Sequence, residues 1–247
     1  MTPVLAPPFI DFRQADQRLR ERGFAVLDAA GLAQLVDTVP SRLDDWRAFW
    51  DDLPPDRYLR DGGHYRRRRH SCFVVQGDKV ARVAQRAHWQ PVEYNALHGG
   101  IERWFDPMDP AWVAQPLWQT LLARLGERAS GLRGAQPWFV EAHPFRIDTA
   151  GGIGRPTPEG AHRDGVDLVA VILAARQGVK GGETRVFEAA GPHGIRFTMT
   201  QPWTALLLDD ARVIHETTPI QPLPGDAAGH RDPLVLTFRA GAFQGRM

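Results

Sequence analysis

The texture of the second half of the chain narrows the fold more than any other feature. Between residues 138 and 240, apolar and β-branched runs (138–148, 165–174, 184–188, 195–200, 203–208, 212–217 and 233–240) are separated by clusters of Gly, Pro and Asp. No helical repeat lies between them. A doubly wound sheet needs a helix after each strand, so this pattern points to a sandwich or barrel of short strands. The first half reads differently. Asp11 can cap a short helix with Gln14 at the capping-box position, Leu19 facing inward and Gly23 ending it. FAVLD (24–28) is a brief strand. Leu32, Leu35, Val36 and Val39 fall at helical spacing, and Pro40 is expected to stop them. Asp109-Pro110 opens another helix with Leu117, Leu121 and Leu125 at four-residue steps and Gly131 as its stop. The expected organisation is a single domain over 1–247, in which 1–134 supplies helices and a basic strand supporting a β core over 135–240.

With 247 residues and 43% hydrophobic content, the chain can build one sizeable core. Its 30 basic and 29 acidic residues nearly cancel, which argues against a nucleic-acid partner. Cys72 is the lone cysteine, so no internal disulfide or cysteine-based zinc site is available. The start, MTPVLAPPFIDF, lacks the basic and apolar regions of a signal peptide. The run from Leu168 to Ala175 is far short of the roughly 20 residues a membrane helix needs. The expectation is a soluble, cytoplasmic monomer or homodimer with a small-molecule substrate.

A metal constellation gives that substrate a chemistry. EGAHRDGVDLV (159–169) places His162 and Asp164 two residues apart, and along an extended chain such residues point to the same side. Fifty residues intervene before His215 in LLLDDARVIHETTPI (206–220), where Asp209-Asp210 signals a turn expected to lay the next strand beside its predecessor. Two imidazoles and one carboxylate on one face of an ion leave the other face open, an arrangement suited to non-haem iron(II). A His-x-Asp triplet alone is also what chance produces, and His215 alone could be a hydrogen-bonded strand histidine. Two companions sharpen the signal. KGGETRVF (180–187) supplies a tight turn between the triplet and the distal histidine, although an isolated Gly-Gly also marks ordinary hairpins. HRDPLVLTFRA (230–240) supplies Arg231 at the mouth of the last strand, where a guanidinium can grip a carboxylate with paired hydrogen bonds. Arg239, eight residues on, is expected to face solvent or a helix.

In order and spacing, HRDG (162–165), GGET (181–184), LLDDARVIHETTPI (207–220) and HRDPLVLTFRA (230–240) resemble the iron(II)/2-oxoglutarate-dependent dioxygenases. The resemblance is closest to the small bacterial branch typified by L-isoleucine dioxygenase, whose members hydroxylate free amino acids. It covers roughly residues 135–240 in detail and the N-terminal half loosely. It implies an all-β core with flanking helices (α+β), a double-stranded β-helix or jelly roll, with Fe(II), 2-oxoglutarate and O2 as the reacting set. It implies His162, Asp164 and His215 as metal ligands and Arg231 as the arginine that binds the far carboxylate of 2-oxoglutarate. Many relatives carry a serine two residues after that arginine, where this chain has Pro233. Thr217 and Thr237 are the candidate replacements.

The remaining features bear on the substrate. In HYRRRRHSCF (64–73), a strand would put Arg66, Arg68 and His70 on one face, able to bind a substrate carboxylate, although a solvated basic surface accounts for the run equally well. Glu159 can contact a substrate amine or cap its own loop. His70, His88, His98 and His143 form no second ligand pair in the sequence and read as core or supporting residues, as do Trp89, Trp104, Trp112, Trp138 and Trp203. The expected activity is hydroxylation of an unactivated C–H bond in a free L-amino acid or derivative, releasing succinate and CO2. Two alternatives stand beside it: a jelly-roll hydrolase or isomerase with another metal, and a non-catalytic small-molecule-binding barrel.

Overall fold

The computed structural model of the protein describes residues 4–245. Asp11 accepts the N–H of Arg13 and opens a 3₁₀ turn that runs into α1 (Ala15–Arg22). Gly23, at φ 75°, ends α1 and donates its N–H to the Leu19 carbonyl. The chain then forms β1 (Phe24–Leu27) and α2 (Ala29–Leu35), the latter capped by Asp28. Pro40 does not merely end the preceding helical pattern. It occupies the first position of α3 (Pro40–Asp44), where its missing N–H costs nothing.

A basic strand, β2 (Arg66–Arg68), precedes the hairpin of β3 (Ser71–Gln76) and β4 (Lys79–Arg82). After α4 (Pro110–Val113), α5 (Pro116–Arg133) runs straight through Gly131 and stops at Gly134, whose φ of 87° is a conformation other residues resist. Then come β5 (Trp138–Asp148), β6 (Leu168–Gln177), β7 (Val179–Gly181), β8 (Thr184–Glu188) and β9 (Gly194–Phe197). The chain closes with β10 (Thr204–Asp209), β11 (Val213–Thr217), β12 (Ile220–Pro222) and β13 (His230–Ala240).

The architecture is a jelly roll whose sheets stay open rather than closing into a barrel. Among the described residues, the major sheet runs β1-β10-β6-β13-β5-β3-β4, with β2 also on β5; the minor one runs β11-β8-β9, and β12 pairs with β7. The Asp209-Asp210 turn therefore does not return β11 beside β10. It carries the chain across to the other sheet, where His215 faces Val186 of β8.

β6 shows why the major sheet forms. Its alternate residues Leu168, Ala170, Ile172 and Ala174 pack with α5 and the N-terminal helices, while Val169 and Leu173 pack against Val186, Phe197 and Val213 of the minor sheet. A strand buried on both faces reads as one apolar run, LVAVILAA. On the helical side Trp46 sits among Trp112, Trp118 and Trp203 at ring separations of 5.7, 5.9 and 6.5 Å. Trp112, Trp138 and Trp203 belong to this core as expected, but Trp104 is 57% exposed and does not. The other side of the major sheet, between it and the minor strands, holds the cavity.

Candidate active site

Two neighbouring strands of the major sheet line that cavity with alternate residues. From β5 come Ile147, Phe145, His143, Glu141 and Phe139; from β13 come Arg231, Pro233, Val235, Thr237 and Arg239. The register sets Arg231 opposite Ile147, Val235 opposite His143, Thr237 opposite Glu141 and Arg239 opposite Phe139. Arg239 thus lines the cavity at its far end instead of turning away from it.

His162, Asp164 and His215 meet on one wall. The backbones of His162 and His215 exchange N–H···O bonds of 3.0 and 2.9 Å, which sets their rings 4.7 Å apart. His162 Nε2 lies 3.9 Å from one Asp164 oxygen and His215 Nε2 lies 3.7 Å from the other. That spacing leaves room for an ion about 2 Å from each donor. The Nδ1 of His162 is 2.9 Å from the Gly160 carbonyl, which can only accept, so that nitrogen carries the proton and Nε2 presents its lone pair inward. Gln90 steadies Asp164 through a 3.3 Å contact to its carboxylate.

The charges at this wall are unresolved without a cation. Burial pushes the Asp164 pKa up. Burial also opposes a charge on His162, but the neighbouring Asp164 and Glu159 carboxylates outweigh it and raise its pKa. Burial drives His215 down to about 3. Two inward imidazole nitrogens and one carboxylate, all desolvated, are a donor set that fits a divalent ion such as iron(II).

Arg231 is 2% exposed, and its Nε and one terminal nitrogen have no hydrogen-bond partner. Burial, with Arg176 nearby, pulls its pKa down to about 10. Unpartnered guanidinium N–H groups at the end of a cavity, with Ile147, Pro233 and a second cation, Arg66, alongside, fit a carboxylate. Thr217 also lines the cavity, with its backbone tied to Thr157. Thr237 is six residues along β13 from Arg231, roughly 20 Å at about 3.3 Å per residue. It sits beside Glu141, at the other end.

Arg66 and Arg68 of β2 are both buried and line the cavity, whereas Arg67 is exposed. Asp56 holds Arg66 at 2.7 Å, and Arg68 is sandwiched between the Phe105 and Phe145 rings at 3.9 and 4.4 Å. His70 is fully buried and stands behind Glu141 without lining the cavity. Glu159 lines the cavity, with one oxygen 3.5 Å from His162 Nε2.

Sequence reasoning missed a second cluster. His70, His88, Glu141 and His143 gather in the interior, a grouping that the sequence, which showed no ligand pair among these histidines, did not reveal. Glu141 and His143 are two apart on one strand, a readable signal; His88 arrives from a long loop that carries none. Gln90 and Arg103, joined at 2.9 Å, and Asp210 were likewise invisible.

The family model of the 2OG-Fe dioxygenases matches residues 47–237. The chain belongs to that family. It is an oxygenase, and the family's chemistry uses Fe(II), 2-oxoglutarate and O2. Among solved structures it is similar to a bsmA homologue from Methylobium petroleophilum PM1, at 53% identity over 100% of both chains and a TM-score of 0.91. It shares its fold with IDO from Bacillus thuringiensis (16% identity, 96% of this chain and 98% of that one, TM-score 0.71). The Fe(II)/α-ketoglutarate-dependent dioxygenase TqaL has the same fold (18% identity, 92% and 86% covered, TM-score 0.70). No curated protein matches the chain. No helix among the described residues is long and apolar enough to cross a membrane.

Proposed function

We propose that this oxygenase hydroxylates an unactivated C–H bond of a free L-amino acid or close derivative, and that it belongs with the amino acid hydroxylases of its family. The observation that carries the reading is the layout of one cavity. An N/N/O donor set stands on its wall, an unpartnered buried arginine lies at one end, and two further buried arginines, Arg66 and Arg68, lie along it. His162, Asp164 and His215 would hold iron(II), and Arg231 would hold the distal carboxylate of 2-oxoglutarate, with Thr217, which lines the same cavity, as the candidate for its second contact. When bound, the iron and 2-oxoglutarate supply oxygen activation, with succinate and CO2 as co-products.

The chain's own residues do the rest. Arg231 orients the co-substrate by a paired contact. Gln90 and the Gly160 carbonyl hold two of the ligands in the required rotamer and tautomer. Val166, Val171, Val235 and Phe145 line the cavity with apolar surface that keeps bulk water from the reacting carbon. Arg66 and Arg68 offer the substrate carboxylate a cationic wall. A zwitterion of this size needs only such a wall and one acceptor. All of 1–247 acts as one catalytic domain in this proposal: β1 and β3, from the N-terminal half, are strands of the sheet that carries β5 and β13. The buried lone thiol, Cys72, suits a reducing cytoplasm.

The test is succinate release under iron(II), ascorbate and 2-oxoglutarate, screened across the free L-amino acids. One of them should raise output clearly above the substrate-free background. Stimulation by a peptide or carrier-loaded residue alone would remove the free-amino-acid reading and leave the oxygenase class.

A further inference from the structure

The cluster of His70, His88, Glu141 and His143 has the residue types of a second metal site, but its geometry is that of a collar around a carboxylate. In the first triad the facing donor atoms are 3.7 and 3.9 Å apart. In the cluster, His88 Nδ1 and Glu141 Oε2 touch directly, leaving no room for an ion between them. Arg68 donates to His143 Nδ1 at 2.5 Å, and because a guanidinium cannot accept, that nitrogen carries the lone pair. The proton of His143 is then on Nε2, the atom 3.5 Å from Glu141 Oε2, where a metal would need a lone pair. His70 Nε2 lies 3.5 Å from the same oxygen. Three imidazoles thus converge on Oε2.

The other oxygen, Oε1, is buried and has no partner. Glu141 is 6% exposed and lines the cavity. A desolvated carboxylate oxygen with nothing to accept from is a vacancy for a donor on a ligand. The nearby arginines contact other groups, Arg66 with Asp56, Arg68 with His143 and Asp56, and Arg103 with Gln90; each keeps one unpartnered nitrogen, but none reaches Oε1. The position also suits a substrate contact. Glu141 stands opposite Thr237, roughly 20 Å along the strand from the Arg231 end at about 3.3 Å per residue. It lines the same cavity as His162, Asp164 and His215.

We infer that Glu141 is the anchor for a protonated primary amine on the substrate, with His70, His88 and His143 as the residues that position it. The inference deepens the amino-acid reading and rests on it for the identity of the ligand. Glu159 also lines the cavity with a buried, unpartnered oxygen, Oε2, but its other oxygen lies 3.5 Å from His162 Nε2, among the proposed metal ligands, and the inference therefore selects Glu141. Burial pushes the Glu141 carboxyl up, but the N–H donors around it hold it well below its usual range, so the anchor is charged at neutral pH.

The test compares wild type, E141Q and E159Q on two matched panels: L-amino acids, and the 2-hydroxy acids with the same side chains. Folding is controlled by the melting temperature and by the visible absorption of the iron(II)–2-oxoglutarate complex. Wild type should respond to an amino acid and not to its hydroxy analogue. E141Q should raise the KM of that amino acid at least about 30-fold, as expected on losing a contact to a charged group, and should lose the preference for the amine. An E141Q KM within about threefold of wild type overturns the inference, as does a hydroxy acid that works equally well or a loss seen in E159Q instead. So does an iron content of two per wild-type chain that drops to one in E141Q, which would make the cluster a metal site. If no amino acid stimulates release, the proposed function fails, and Glu141 is judged by the melting shift that n-butylammonium chloride causes with iron(II) and 2-oxoglutarate present. A rise in wild type that is absent in E141Q supports the anchor. An equal rise in both, or none in either, removes it.

Discussion

Asp164 is held where burial raises its pKa against the opposing pull of His162, and the imidazoles that face it stand 3.7 and 3.9 Å away, too far for direct hydrogen bonds. A divalent cation resolves that conflict, and two donors hold one far less well than three. Asp164→Ala and His162→Ala should each lose iron on desalting and fall to background turnover while keeping the wild-type circular dichroism. Elemental analysis reads the first effect and succinate release the second; wild-type turnover in Asp164→Ala would sink the metal assignment. Arg231 is a different kind of residue, a buried cation with free N–H groups. Arg231→Lys replaces a two-pronged contact by a point charge, a loss of about 2–4 kcal/mol, or roughly 30- to 1000-fold in the KM for 2-oxoglutarate. Should Arg239→Lys show that change and Arg231→Lys not, the co-substrate lies at the opposite end of β13.

One segment, 162–166, carries two of the three proposed ligands without being a regular strand, and Asp210 gives it shape. The Asp210 carboxylate accepts N–H groups from Asp164, Gly165 and Val166 at 3.0, 2.8 and 3.1 Å. Asp210→Ala strands those donors and should cost about 3 kcal/mol of stability and about 10- to 100-fold in iron affinity. Thermal melts of the apoprotein and iron titration measure the two; wild-type iron affinity in the variant would show that the segment keeps its shape unaided. Elements of this kind mark the limit of what a sequence reveals here. The gathering of His162, Asp164, His215 and Arg231 in one cavity is legible because few side-chain types suit a metal ion or a carboxylate, and their order along the chain is itself informative. The β texture of the second half is legible because a two-period pattern and turn residues report local geometry. Pro40 and Gly131 mislead because each is compatible with a helix start or interior once its neighbours are packed. β11 misleads because a turn signal says that the chain reverses, not which sheet receives it. The collar of Glu141 is assembled from β5, the link between β2 and β3, and a loop, so no window of sequence contains it.

At the scale of the whole molecule, the major sheet separates the helix-covered apolar core from a side that holds both a second apolar cluster, against the minor sheet, and a charged cavity. Its helix-facing side is filled by tryptophans and aliphatic residues, and its other side holds Arg66, Arg68, Glu141, His143 and Arg231. Keeping ionisable groups there couples the fold to pH. Burial pushes His88 down to about 3, and burial with Arg68 alongside pushes His143 well below its usual value. In the unfolded chain each titrates near 6.5. A folded pKa below the unfolded one means that the unfolded state binds more protons in between, so the stability these residues contribute is present above about pH 6.5 and is lost as pH falls from there. Glu141, whose folded pKa is also depressed, adds a loss in the same direction below its usual carboxylate range. His162 acts oppositely, because its folded pKa is raised. A comparison that isolates one imidazole therefore tests the idea best. At pH 5 an imidazole kept neutral costs about 1.5 pKa units, or about 2 kcal/mol. The apoprotein should melt at a lower temperature at pH 5 than at pH 7.5. His88→Gln, which cannot take up that proton in either state, should lose about 4–8 °C less than wild type over the same interval. Identical slopes in the two proteins would mean that His88 is protonated in the folded state, and the neutral collar around Glu141 would have to be abandoned.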